Sequence, residues 1–212
     1  EKGEFKLNPT TTGYQNLHHV TSLADGGFLV TYASSDAGAN YRILATRYNN
    51  AGTQVGSEFV VSAHAVNYFQ TLPTASQLAN GEIVFAWQKT SNYSQATETN
   101  DKIFREHFNL AGIAQTAILE TEVFGQVADL YADVTSLAGG GHVVVWYNYG
   151  FETGGSTSAG VLAQIFDAAG TATSAPFVLN IVTASHELYP VVGALPSGGF
   201  VARSEERRVG KE

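Results

Sequence analysis

Short runs of apolar and β-branched residues, broken every eight to ten positions by Gly, Asn and Asp, dominate this chain. LADGGFLVTY at 23–32 is followed by LANGEIVFAW at 78–87 and LAGGGHVVVW at 137–146, and the pattern restarts as LPSGGFVA at 195–202. Its glycines Gly26, Gly81, Gly140 and Gly198 stand 55, 59 and 58 residues apart. A second anchor, RYNNAG at 47–52, recurs as HFNLAG at 107–112 and IFDAAG at 165–170. Seven residues after each anchor an apolar position opens another short run, at Phe59, Leu119 and Phe177, with Phe5 as the counterpart near the start. Two anchors keeping pace over three periods establish a repeat, the first feature to settle in any fold assignment.

Each period accommodates four strands: the FVVS type, the VTSLA type, the FLVTY type and the YRILATRY type. The Gly-Gly and Asn-Gly pairs supply the positive φ that tight hairpins demand, and the Asn/Asp-x-Ala-Gly segments do the same after the YRILATRY type. No long window shows a 3.6-residue apolar period, so helix is expected to be nearly absent. Four strands in 54–60 residues is the arithmetic of a β-propeller blade. The expected fold is all-β, with four-stranded antiparallel repeats stacked as propeller-like blades in an open or partial propeller. A β-sandwich or solenoid array stands as the alternative, although so small a unit struggles to bury its own core. Tyr32, Trp87 and Trp146, which end the third run of each repeat, are expected between neighbouring blades. Repeats fall at about 3–55, 56–115 and 116–174, with a partial one at 175–202.

At 203–212 the periodicity stops and the charge density jumps, in RSEERRVGKE. That segment resembles a peptide recurring at truncated ends of environmental sequences and reads as a non-native or disordered tail. A chain opening on Glu1, with no Met anywhere and no apolar leader in EKGEF, reads as a piece of something longer.

Composition narrows the function. Charged residues are 14% of the chain and the net charge is -8, which argues against a nucleic-acid partner, since that requires a basic footprint. No apolar stretch reaches the length of a membrane-spanning helix, and membrane insertion is not expected. The absence of Cys removes disulfide, zinc-thiolate and cysteine-nucleophile chemistry.

The repeated string, with its EF-x-apolar-Asn opening, LADGGF core and aromatic-Asn/Asp-x-x-Gly ending, resembles the tandem repeats of very large exported bacterial proteins. Such repeats are found beside RTX-type nonapeptides and adhesin modules. The resemblance spans residues 3–202. It implies an extracellular or cell-surface location, neighbouring repeats of the same parent chain as partners, and a structural or adhesive role without catalysis. No GGxGxDxUx nonapeptide is present, so calcium binding does not carry over.

The search for chemistry yields little. EF-hand, HExxH and GxSxG patterns are all absent. Asp25 and Asp167 are expected to bond their own turn backbones. The loop acids Asp36, Glu98, Asp101 and Glu152 could supply oxygen ligands to calcium, the one cofactor the sequence leaves open, with Asp36, Asp101 and Glu152 the candidate metal residues. His107 and His142 read as ordinary strand residues, and the His18–His19 pair as part of an exposed loop. Gln15, Gln70, Asp129 and Glu187 each lie eight residues before the leucine of the LADGG-type motif; their mixture of amides and acids suggests a repeated hydrogen bond rather than a catalytic dyad. The variable loops at 34–40, 89–101 and 148–160 are the natural display surface. Their aromatics, Tyr93, Tyr149 and Phe151, are the candidate ligand-binding residues for a glycan or a surface protein. The alternative function is a carbohydrate-binding or glycoside-hydrolase/sialidase-like propeller fragment.

Overall fold

The computed structural model describes residues 4–35, 41–63, 68–90, 101–121, 128–149, 159–181 and 186–207. Fourteen strands follow one another, and helix is absent among the described residues. The first sheet holds β1 (Tyr14–Ser22), β2 (Phe28–Ser35), β3 (Tyr41–Tyr48) and β4 (Gln54–Ser62). The second holds β5 (Phe69–Gln77), β6 (Ile83–Thr90), β7 (Lys102–Phe108) and β8 (Leu119–Glu120). The third holds β9 (Asp129–Ser136), β10 (His142–Tyr149), β11 (Ala159–Phe166) and β12 (Phe177–Val178). The last pairs β13 (His186–Ala194) with β14 (Phe200–Arg207). Every sheet is antiparallel in chain order. Successive sheets touch through their first strands β1, β5, β9 and β13, so each runs outward from that inner strand as a blade does.

The sheets are offset from the sequence period by one strand. Each FVVS-type strand closes the sheet of the preceding YRILATRY-type strand: Phe59 lies opposite Ala45, and Phe177 opposite Ala163. The strand β14 runs on to Arg207 against His186, through the first residues of the segment that the sequence sets apart as a tail; 208–212 lie outside the described residues. His18 and His19, expected in a loop, belong to β1.

The core lies between blades. Leu29, Ile43 and Ala45 of the first sheet pack with Ile83, Phe85, Trp87 and Phe108 of the second, and Val84, Ala86 and Ile103 of the second pack with Val144, Trp146 and Leu162 of the third. Tyr32, Trp87 and Trp146 are all buried. Trp87 and Trp146 occupy these inter-blade cores, while Tyr32 packs with Val30, Leu44, Tyr48 and the chain-start residue Leu7. A unit too small to hide its apolar faces has used its neighbour for the purpose.

Candidate functional site at the loop end

Antiparallel order places the tight turns at one end of the blades and, at the other, the strand ends from which the variable loops depart. At the loop end the inner strands share a bulge. Leu17, Leu72, Tyr131 and Tyr189 have φ of 52, 50, 51 and 51°, and the strand register shifts at each of them. Bulky residues at positive φ are uncommon and strained. Here one recurs at the same place in four successive repeats, where a bulge re-aims side chains.

In the last two blades the bulge residue is tyrosine, and an aromatic cluster forms around it. Tyr131 stacks on Tyr147 at 5.5 Å between centroids and meets Tyr189 edge-on at 4.7 Å. Tyr147 also meets Tyr149 at 5.6 Å, and Tyr149 reaches His186 at 6.1 Å. Tyr147 is buried, Tyr131, Tyr149 and His186 are half-buried, and Tyr189 is exposed. Burial, with the neighbouring tyrosines adding to it, raises the Tyr147 hydroxyl well above the ordinary phenol range. Of the predicted contact residues, Tyr149 is thus a member of an aromatic surface; Tyr93 and Phe151 lie outside the described residues. Tyr131 and Tyr189 lie outside the variable loops to which the sequence points; the signal they carry is the shared spacing, six residues before the LADGG-type leucine.

The inner strands also carry a repeated polar contact. Trp87 Nε1 donates to Gln70 Oε1 at 2.7 Å, Trp146 Nε1 to Asp129 Oδ1 at 2.7 Å, and Ser204 Oγ to Glu187 Oε2 at 2.6 Å. In the second, third and fourth repeats the amide-or-acid position therefore serves the residue seventeen places later, the structural role its composition suggested. In the first repeat the pairing differs: Gln15 accepts from Asn8 Nδ2 at 3.3 Å, while the Tyr32 hydroxyl donates to Glu58. Burial lifts the Asp129 carboxyl to about 6, although its Asn148 and Trp146 donors pull the other way. Asp133 accepts from Thr74 Oγ1 at 2.8 Å and from Val192 N at 2.9 Å, joining three inner strands.

Asp101, one of the three candidate metal residues, is buried beside Gln88, whose Nε2 donates to it at 3.4 Å. Gln88 Oε1 accepts from Tyr131 N at 3.4 Å, so Asp101 belongs to the support of the aromatic cluster. Asp36 and Glu152 lie outside the described residues, and no group of three metal-ligating side chains occurs among those described. Asp25 and Asp167 hold their turns as expected, accepting from Gly27 N and from Ala169 N and Thr171 N.

No family model matches the chain, and no curated protein matches it. Solved structures do. A protein of unknown function from Dyadobacter fermentans aligns over 92% of this chain and 63% of its own, at 13% identity and TM-score 0.61. An endo-arabinase from Bacteroides thetaiotaomicron aligns over 98% and 81%, at 10% identity and TM-score 0.58. A Hadza microbial sialidase aligns over 84% and 39%, at 8% identity and TM-score 0.58. The chain thus spans under two thirds of the first and third of these. At such identities the likeness is one of fold: an all-β chain of antiparallel sheets stacked as propeller-like blades.

Proposed function

We propose that this chain is a non-catalytic, saccharide-binding part of a repeat array, carried by a large exported bacterial protein whose neighbouring repeats it contacts. The observation that carries the reading is the loop-end cluster of Tyr131, Tyr147, Tyr149 and Tyr189. Tyrosines with two χ angles, fixed by stacking, offer rigid amphipathic area at low entropic cost, and a site lined by rings with a few polar groups is the usual form of a small-ligand surface. The sugar-acting names of the endo-arabinase and sialidase neighbours favour the same ligand class. The LADGGF resemblance supports the exported, adhesive setting.

Hydrolysis of a glycosidic bond uses two carboxyl groups roughly 5–10 Å apart across the scissile bond. The inner-strand acids Asp129, Asp133 and Glu187 are instead engaged by donors of the fold, which favours binding over catalysis. The test is a printed array that includes arabinan and sialylated oligosaccharides, read with the wild type and with Tyr149→Ala and Tyr189→Ala. Binding reduced at least tenfold in both variants, with no reducing sugar released, is expected. Absence of binding to every printed glycan, or binding indifferent to both substitutions, would overturn the reading.

A further inference from the structure

The repeat breaks at the turn end of the contact between the second and third blades. Between the first and second blades that position is apolar: Ala45 faces Phe85, and the Phe59 ring packs 5.9 Å from Phe108 and over the turn glycine Gly112. One blade further on, Arg105 replaces Ala45, Val144 replaces Phe85, and His142 replaces Ile83. The Arg105 guanidinium lies 3.7 Å from the Phe166 ring, where Phe59 lay on Phe108. His107 and His142 meet at 5.1 Å, and His142 stacks on Phe166 at 5.0 Å. A Cβ on Gly170 would stand 3.3 Å from His107 Nε2 and 3.9 Å from Arg105 Nη1, so the turn lies directly over both nitrogens.

This polar trio is buried, and much of it has no protein partner: Arg105 Nε and Nη1, His107 Nε2 and both ring nitrogens of His142 are unpaired. In the sister repeats Ala45 or Ala163 stands in place of Arg105, Phe28 or Ile83 in place of His142, and Ile165 or the Asp25-paired Arg47 in place of His107; a local rule broken against its own repeat points to function. We propose that this seam is a proton-operated latch, closed while His107 and His142 are neutral and opened when both take up protons beside the Arg105 cation.

The charges around it define the sign. From the turn before β6, Glu82 faces His107 Nδ1 at 3.4 Å; β7 contributes Arg105 and His107, β10 His142, and the turn after β11 Asp167. Glu106 points to the opposite face of β7. Burial, the largest influence, holds both imidazoles below their ordinary range, His142 to about 3, with His107 and Arg105 pushing it the same way and Asp167 opposing. For His107 the Glu82 carboxylate opposes burial without overcoming it. A folded-state pKa that is depressed gives stability present above the unfolded value near 6.5 and lost as pH falls below it. Solvent has a route: an open cleft of about 410 Å³ is lined by Asn80, Glu82, Gln115, Ala169 and His107 itself.

The test takes its substitutions from the repeat. His107→Ile and His142→Phe install the residues of Ile165 and Phe28, so the double variant loses both imidazoles, keeps Arg105, and carries side chains the repeat itself uses at those positions. Urea unfolding of wild type and double variant is measured at pH 7.5 and 5.5. An imidazole that stays neutral in the closed seam, with an opened-state pKa near 6.5, raises the ratio of unfolding constants, wild type over variant, by about tenfold between those values; His142 supplies that factor and His107 takes the total towards a limit of about a hundredfold. Differencing removes the titrations of Glu106 and Asp129, which both proteins share. A ratio that does not change overturns the latch. Should the variant fail to fold, NMR of the wild-type imidazoles decides: neutral rings are expected until amide protection in β7 and β10 is lost, ahead of β2. Ordinary titration near 6.5 with the seam intact, or equal loosening of β2, defeats the proposal.

Discussion

At the scale of single residues, the most informative side chain is Asp129. It accepts from Trp146 Nε1 and Asn148 Nδ2, yet burial still lifts its pKa to about 6. A raised folded-state pKa gives stability that is complete below the unfolded value near 3.9 and is lost as pH rises through 6. The sister residue Gln70 shows that a neutral amide can serve the indole equally well. Asp129→Asn is therefore expected to stabilise the protein at pH 8 by about 1–2 kcal/mol, with the gain vanishing by pH 4. Denaturant midpoints at the two pH values check it. His142 pulls the other way: it favours neutral over acid pH, so the two residues contribute opposite pH slopes to stability.

Elements were the scale at which the sequence was most legible. Glycine spacing and β-branched runs located the strands and hairpins, because turn chemistry is local and period-two patterning is strong. The partner of each FVVS-type strand was not legible, since pairing to the preceding rather than the following strands is a matter of tertiary contact. The bulges escaped for a related reason: neither Leu72 nor Tyr131 is a residue that advertises positive φ. The seam histidines look ordinary in sequence because His142 stands in register with Phe28 and Ile83, and His107 with Arg47 and Ile165, and burial cannot be read from such counterparts. One element carries a sharp prediction. Gly112 and Gly140 both have positive φ, 78 and 89°, but a Cβ on Gly112 would lie 2.5 Å from the Phe59 ring whereas Gly140 faces open space. Both alanine variants pay the left-handed strain, of order 1 kcal/mol. Gly112→Ala is expected to lower the melting temperature further, by the added cost of displacing a ring between blades.

On the scale of the whole molecule, stability resides in the contacts between blades. Nearest-neighbour coupling of this kind makes a repeat array cooperative over a few units rather than within one. Asp133 is a test case, as it bonds to β5 through Thr74 and to β13 through Val192. Asp133→Ala is expected to speed amide exchange in all three inner strands, β5, β9 and β13, while the β1–β2 hairpin keeps its protection. Exchange raised in β9 alone would mean that these bonds transmit nothing. The candidate site obeys the same logic, being assembled from β9, β10 and β13 together.

The one-strand offset between period and sheet bears on how such a chain could lengthen. A duplicated stretch of 55–60 codons would bring three strands of a new sheet, together with the closing strand of the sheet before it. Every inserted copy would thus be sewn into its predecessor as it arrived, and loss of the last copy would leave its predecessor's outer edge bare.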